Sequence, residues 1–291
     1  MINKNARFKD GYEIRCAPER GFKGRKSCLD DRRNCVFFVD MGKPAVNSVR
    51  LDGSEFRSWP VPELAGSIGL GESGNLIVSQ PKSLLVLNPE TGRLRELVRV
   101  EGEPPENRLN DGKTGPDGAF WVGSMDTKRE RRESIGSLFR VTGDGRITRV
   151  IERGMFVSNG LAWSPDHLTM YHSDSAGPWI NRYDFSPATG AVTNPTRFAE
   201  LSEQAGRPDG AACDIEGRYW SAGVSAGVIN VFSPTGAILK TYPTEVTAPT
   251  MPAFCGENLD YLVVTSLPDR PNGRDIDGSL MIAKTDTRGA L

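Results

Sequence analysis

One phrase recurs along this chain at a nearly fixed interval, and that recurrence limits the fold more than any other feature. Its fullest copy is Asn107-Arg-Leu-Asn-Asp-Gly-Lys113, then a Pro-Asp-Gly turn at 116 to 118, then Phe120-Trp-Val122. Pro presets φ in such a turn and Gly accepts the positive φ that ends it. Short apolar runs bounded by Gly and Asp read as strands. Further copies are Ser158-Asn-Gly-Leu-Ala-Trp-Ser-Pro-Asp166 and Pro208-Asp-Gly-Ala-Ala-Cys-Asp-Ile-Glu-Gly217. Weaker ones begin near 24, 67 and 251, so the six starts give a period of roughly 43 to 50 residues, the propeller range. Between the copies lie turn-plus-strand phrases at Asp52-Gly, Thr91-Gly, Asp144-Gly, Thr189-Gly and Thr235-Gly. Each period therefore holds about four strands, the content of one blade. The sequence predicts an all-β, six-bladed β-propeller in which residues 1–291 form a single domain.

Residues 1–15 are expected to supply a strand that closes the ring against the last blade, because closure removes exposed sheet edges. Residues 16–31 depart from the pattern: Arg20, Lys23, Arg25 and Lys26 fall where an inner strand should be apolar. The dense mixed charge from Asp126 to Glu133 reads as a solvated loop. So does 269–278, which lacks the closing Glu of an EF-hand.

The chain has 25% charged residues and a net charge of −1, which argues against nucleic acid and anionic membranes as partners. No apolar stretch approaches bilayer length, and the N-terminal residues lack the apolar core of a signal peptide. Five cysteines without Cys-x-x-Cys spacing argue against both a disulfide framework and a zinc ribbon. A reducing cytoplasm is the expected location.

The innermost strand of each blade lines the central channel, so residues at one repeat position converge at one mouth. Asp111, Asn159 and Asp209 each precede a Gly in the same phrase, with Asn110 one residue earlier and Arg108 beside it. Oxygen-bearing side chains gathered at one point call for a cation. Without Cys or His they favour Ca²⁺, Mg²⁺ or Mn²⁺, although catalytic zinc also accepts carboxylates. Asp-Gly and Asn-Gly are also ordinary turn dipeptides, and the register across three blades is what raises them above that. A rival pattern, Gly223-Val-Ser-Ala-Gly227 with His167 or His172 as base, resembles a nucleophile elbow. An elbow needs strand, turn and helix, and both flanks here read as strand.

Taken together, these motifs and Trp121-Val-Gly-Ser-Met-Asp126 resemble the SMP-30/gluconolactonase/regucalcin family over about residues 30 to 283. The resemblance implies a six-bladed propeller with one divalent metal ion (Ca, Zn, Mg or Mn) and hydrolysis of a sugar lactone. It implies that Asn159 and Asp209 are metal ligands and that Asp209 is also the general base. Arg108 and Asn110 then match residues that hold substrate hydroxyls, and Lys128 stands where some relatives have a substrate-side acid. One motif departs. The family's Gly-Glu-Gly/Ser-Pro-x-Trp, whose Glu is the third protein ligand, should fall at 24–29, where this chain reads Gly-Arg-Lys-Ser-Cys-Leu. Glu19 is the nearest acid that could replace it. Loss of a charged ligand weakens a hard-metal site, so the alternative expectation is a non-catalytic or weakly active calcium-binding propeller. A third expectation, within enzymes, is hydrolysis of other esters such as organophosphates. With suitable synonymous codons, the codons of residues 24–29 read one base later give Gly-Glu-Ser-Pro-Val-Trp. That is a hypothesis of a frame error, and sequencing the gene tests it.

Overall fold

The computed structural model describes residues 6–8, 12–16, 24–30, 33, 35–128, 133–268 and 273–290, the first three segments as backbone. Strands β1 (Ala6–Phe8) and β2 (Tyr12–Cys16) come first. Blade one is β3 (Gly24–Asp30), β4 (Cys35–Asp40), β5 (Ala45–Arg50) and β6 (Arg57–Pro60). Blade two is β7 (Ser67–Leu70), β8 (Leu76–Ser79), β9 (Ser83–Leu87) and β10 (Leu94–Arg99). Blade three is β11 (Asn107–Thr114), β12 (Phe120–Asp126), β13 (Gly136–Val141) and β14 (Ile147–Met155). Blade four is β15 (Ser158–Trp163), β16 (Thr169–Asp174), β17 (Trp179–Ser186) and β18 (Ala191–Glu200). Blade five is β19 (Pro208–Cys213), β20 (Tyr219–Gly223), β21 (Val228–Phe232) and β22 (Ile238–Pro243). The last strands are β23 (Pro249–Cys255), β24 (Tyr261–Ser266) and β25 (Met281–Lys284).

These make six antiparallel sheets, and the expected six-bladed β-propeller is the architecture observed. In the sixth sheet the order is β1-β2-β25-β24-β23, so an N-terminal strand lies beside a C-terminal one, with Arg15 opposite Ile282. The stretch 24–30, discordant in sequence, takes strand backbone as the innermost element of blade one, its register shifting between Arg25 and Ser27. Among the described residues there is no helix.

Alternation explains where the core sits. Successive strand residues face opposite ways, and a blade has a neighbour on each face. In β4, Phe37 and Val39 pack with Ile68, Leu76 and Val78 of blade two, while Val36 and Phe38 pack with Cys255, Val263 and Ile282 of blade six. β4 is therefore buried on both faces, which is why Cys35-Val-Phe-Phe-Val39 reads as an unbroken apolar run. Outermost strands touch water, and Ile238 and Leu239 of β22 are exposed.

Inner strands carry one further feature. The pairing of β11, β15 and β19 with their second strands slips by a residue, between Leu109 and Gly112, Asn159 and Ala162, and Pro208 and Ala211. Such bulges re-aim side chains and cluster near functional sites. The Gly223–Gly227 segment joins β20 to β21 as a hairpin, with no helix behind Ser225. The nucleophile-elbow reading fails on that geometry.

Candidate active site

Arg108 and Asn110 of β11 and Asn159 of β15 form one hydrogen-bonded line that reaches the backbone of β19. Arg108 Nη1 donates to Asn110 Oδ1 at 3.0 Å and to Leu109 O at 2.9 Å. Asn110 Nδ2 donates across the blade boundary to Ser158 O at 2.9 Å and Asn159 Oδ1 at 3.2 Å. Asn159 Nδ2 donates to Ser175 Oγ at 2.6 Å, and Ser175 Oγ in turn donates to the carbonyl of Pro208, next to Asp209. Asn110, Asn159 and Asp209 are 0, 2 and 3% exposed, deep in the ring and far from ordinary surface turns.

Asp111 takes a different part from the one its Asp-Gly phrase suggests. Its Oδ2 accepts the Leu161 N–H at 3.3 Å, tying blade three to blade four, while Asn110 is the residue bonded to Asn159. Adjacent residues of an extended chain point opposite ways, so Asn110 and Asp111 meet different partners on blade four. Lys128 is exposed in the loop after β12, its Nζ 3.7 Å from Glu106 Oε1. That loop borders the start of β11, where Asn107 pairs with Asp126. Glu19 lies outside the described residues.

Neighbours that the sequence did not assign to this site hold the line in place. Asp174 accepts four backbone N–H groups, from Phe156, Val157, Ala176 and Gly177, at 2.7 to 3.1 Å. It thereby fixes the chain entering β15. Ser158 Oγ bonds His172 Nε2 at 2.6 Å with both residues fully buried. The hydroxyl sits in a hollow left by Gly123, where an added Cβ would fall 1.7 Å from it. Gly210 is closed in similarly, its missing Cβ 2.1 Å from Met251 Sδ of blade six. The only sequence signal for these contacts is that each glycine lies inside a strand, a mark of close approach.

Burial depresses the His172 pKa from 6.5 to about 3, so the ring stays neutral while the same residue in the unfolded chain protonates near 6.5. This contribution to stability is complete above pH 6.5 and is lost as pH falls toward 3, at up to about 1.4 kcal/mol per pH unit. Denaturant unfolding at pH 6.5 and 4.5 should show His172→Phe losing about 2 kcal/mol less than the parent across that interval. Equal losses in the two proteins would remove His172 from the acid response.

A cavity of about 350 Å³ occupies the channel further along the inner strands, bordered by Gly112 to Pro116, Trp163, Cys213 and Met251. Its lining follows Asn110, Asn159 and Asp209 in chain direction and contains none of the three. Cys213, on that lining, is a free thiol whose pKa burial pushes up to about 12, as it does for Cys255.

Donor chemistry decides which cation these residues suit. Amide and carboxylate oxygens fit a hard divalent ion. Among the described residues no group of three or more His, Cys, Asp or Glu could hold a metal. A cation here would rest on Asp209 with the amide oxygen of Asn159.

Residues 27–268 match the SMP-30/gluconolactonase/LRE-like region. The chain belongs to this family. The SMP-30/gluconolactonase/LRE-like match begins inside β3, after the position where the first-blade Glu is expected. The chain is 37% identical over 250 residues to a 6-deoxy-6-sulfogluconolactonase of Pseudomonas putida, covering 84% of this chain and 83% of that one. It is 30% identical over 264 residues to a regucalcin of Xenopus laevis, covering 88% and 87%. A solved luciferin-regenerating enzyme superposes with a TM-score of 0.87 at 26% identity, covering 96% of this chain and 97% of that one.

Proposed function

We propose that this chain hydrolyses a sugar lactone to the open-chain sugar acid, with Asp209 as general base and Arg108 and Asn110 holding the substrate's hydroxyls. The observation that carries this reading is the line of bonds from Arg108 through Asn110, Asn159 and Ser175 to Pro208, ending beside a buried carboxylate. Relatives named as lactonases, the Pseudomonas putida protein among them, support the substrate class. Asn159 and Asp209 are the residues that would hold a divalent ion, which when bound polarises the lactone carbonyl.

Asp209 takes a proton from water as that water attacks the carbonyl carbon. The ring C–O bond then breaks, and the leaving oxygen recovers the proton. Arg108 and Asn110, joined to one another and to blade four, turn binding of the sugar into positioning of its carbonyl. The buried thiols of Cys213 and Cys255, neither of them in a disulfide, support a reducing compartment such as the cytoplasm.

A panel of sugar lactones, followed by acid release with and without EDTA, tests this. Hydrolysis should stop with EDTA and return when a divalent ion is added back. A panel inert with every metal would end the lactonase reading. Turnover that persists in EDTA would keep the lactonase and remove the metal.

A further inference from the structure

Lys113 lies on β11 three residues past Asn110, and its side chain reaches beyond the neighbouring blade. Nζ donates to Ala211 O of blade five at 2.9 Å, passing blade four. Carbonyls on the channel edge of an innermost strand have no further strand to pair with, so side chains or water must meet them. Elsewhere an adjacent blade does this. Asn110 bonds Ser158 O, Thr114 Oγ1 bonds Leu70 O, and Tyr219 OH bonds Gly160 O.

The landing point of Lys113 matters. Asp209 and Gly210 sit where β19 slips in register against β20, and Pro208 and Ala211 are the paired residues on either side. A bulge loses ladder bonds, so whatever holds its two ends sets its conformation. Ser175 of blade four holds the Pro208 carbonyl, and Lys113 of blade three holds the Ala211 carbonyl. Blade six closes the third side, through Met251 against Gly210. An ammonium-to-carbonyl bond is charge-assisted and stronger than a neutral one. We infer that Lys113 is a positioning residue for Asp209, fixing the downstream end of the bulge that carries it. The inference rests on the reading of Asp209 as the base.

Lys113→Met removes the donor and keeps most of the stem. On a lactone the parent accepts, kcat should fall about 10- to 100-fold while KM stays within about threefold, as expected when a reacting group is misplaced and binding is kept. Lys113→Arg, which can still donate, should recover most of the loss. Amide exchange at 209–211 should quicken about tenfold or more in Lys113→Met, with β24 and β25 unaffected. That readout needs no turnover. If Lys113→Met fails to fold, Lys113→Leu, which also lacks a donor, carries the same comparison. A folded variant whose kcat stays within twofold of the parent overturns the inference, as does unchanged exchange at 209–211. If the parent itself hydrolyses no lactone, the functional reading falls, and exchange at 209–211 alone decides whether Lys113 holds the bulge.

Discussion

In the Asp209→Ala variant, kcat/KM for a lactone accepted by the parent falls by about 10²- to 10⁴-fold, the range lost with a general base. Raising the concentration of divalent ion does not restore it, because the same carboxylate is assigned to both proton transfer and the metal. Asp209→Asn makes the sharper comparison. It keeps the volume of a side chain only 3% exposed and removes the charge alone, so its loss of activity should match that of the alanine variant. Thermal unfolding of the asparagine variant should lie close to that of the parent. Activity near the parent level in either variant would take Asp209 out of the chemistry and leave the ring of polar residues as structure.

The largest expected loss of stability comes from Trp121→Ala. Trp121 is fully buried on β12, its ring centroid 6.1 Å from that of Trp163 and 5.6 Å from that of Phe185. Trp163 and Phe185 are themselves 5.8 Å apart, and all three pairs meet edge to face. That arrangement suits the ring quadrupoles and joins blade three to blade four. The indole also donates to Asp117 Oδ1 at 3.0 Å, and the same carboxylate accepts from Arg140 Nε at 2.6 Å. Truncation opens a cavity at a blade boundary and takes one donor from Asp117. The expected cost is about 3–5 kcal/mol, a large share of the ~5–15 kcal/mol that holds a typical domain together. Urea unfolding monitored by circular dichroism measures it. A loss below about 1 kcal/mol would mean that the neighbouring blades close over the gap.

Some of this was legible in the residues and some was not, for reasons that can be named. The blade period is readable because second strands carry apolar runs, as in Cys35-Val-Phe-Phe-Val and Tyr261-Leu-Val-Val, and because turn dipeptides fall between strands. Asn110, Asn159 and Asp209 are readable because they are polar where the repeat is otherwise buried. A partner in the next blade is invisible in sequence, so counting along the phrase aligned Asp111 with Asn159 while Asn110 is the residue bonded to it. Ser175, Asp174 and His172 owe their positions to partners in other strands or blades, and local pattern does not encode those. The reach of Lys113 depends on the width of the channel. Residues 24–30 illustrate the opposite case. Their composition argues against an inner strand, yet the closed ring supplies a partner in β4, and the backbone pairs with it.

The hollows at Gly123 and Gly210 bear on how such a ring can diverge. Each receives an atom from the next unit around, Ser158 Oγ in one case and Met251 Sδ in the other. A graft of blade four from a relative brings its own residue to meet Gly123, while the host still supplies the recess. Units that look interchangeable along the chain are therefore keyed to one another like adjacent stones in an arch. Recombination between relatives should succeed with cuts that keep each glycine beside its guest, and fail with cuts that part them.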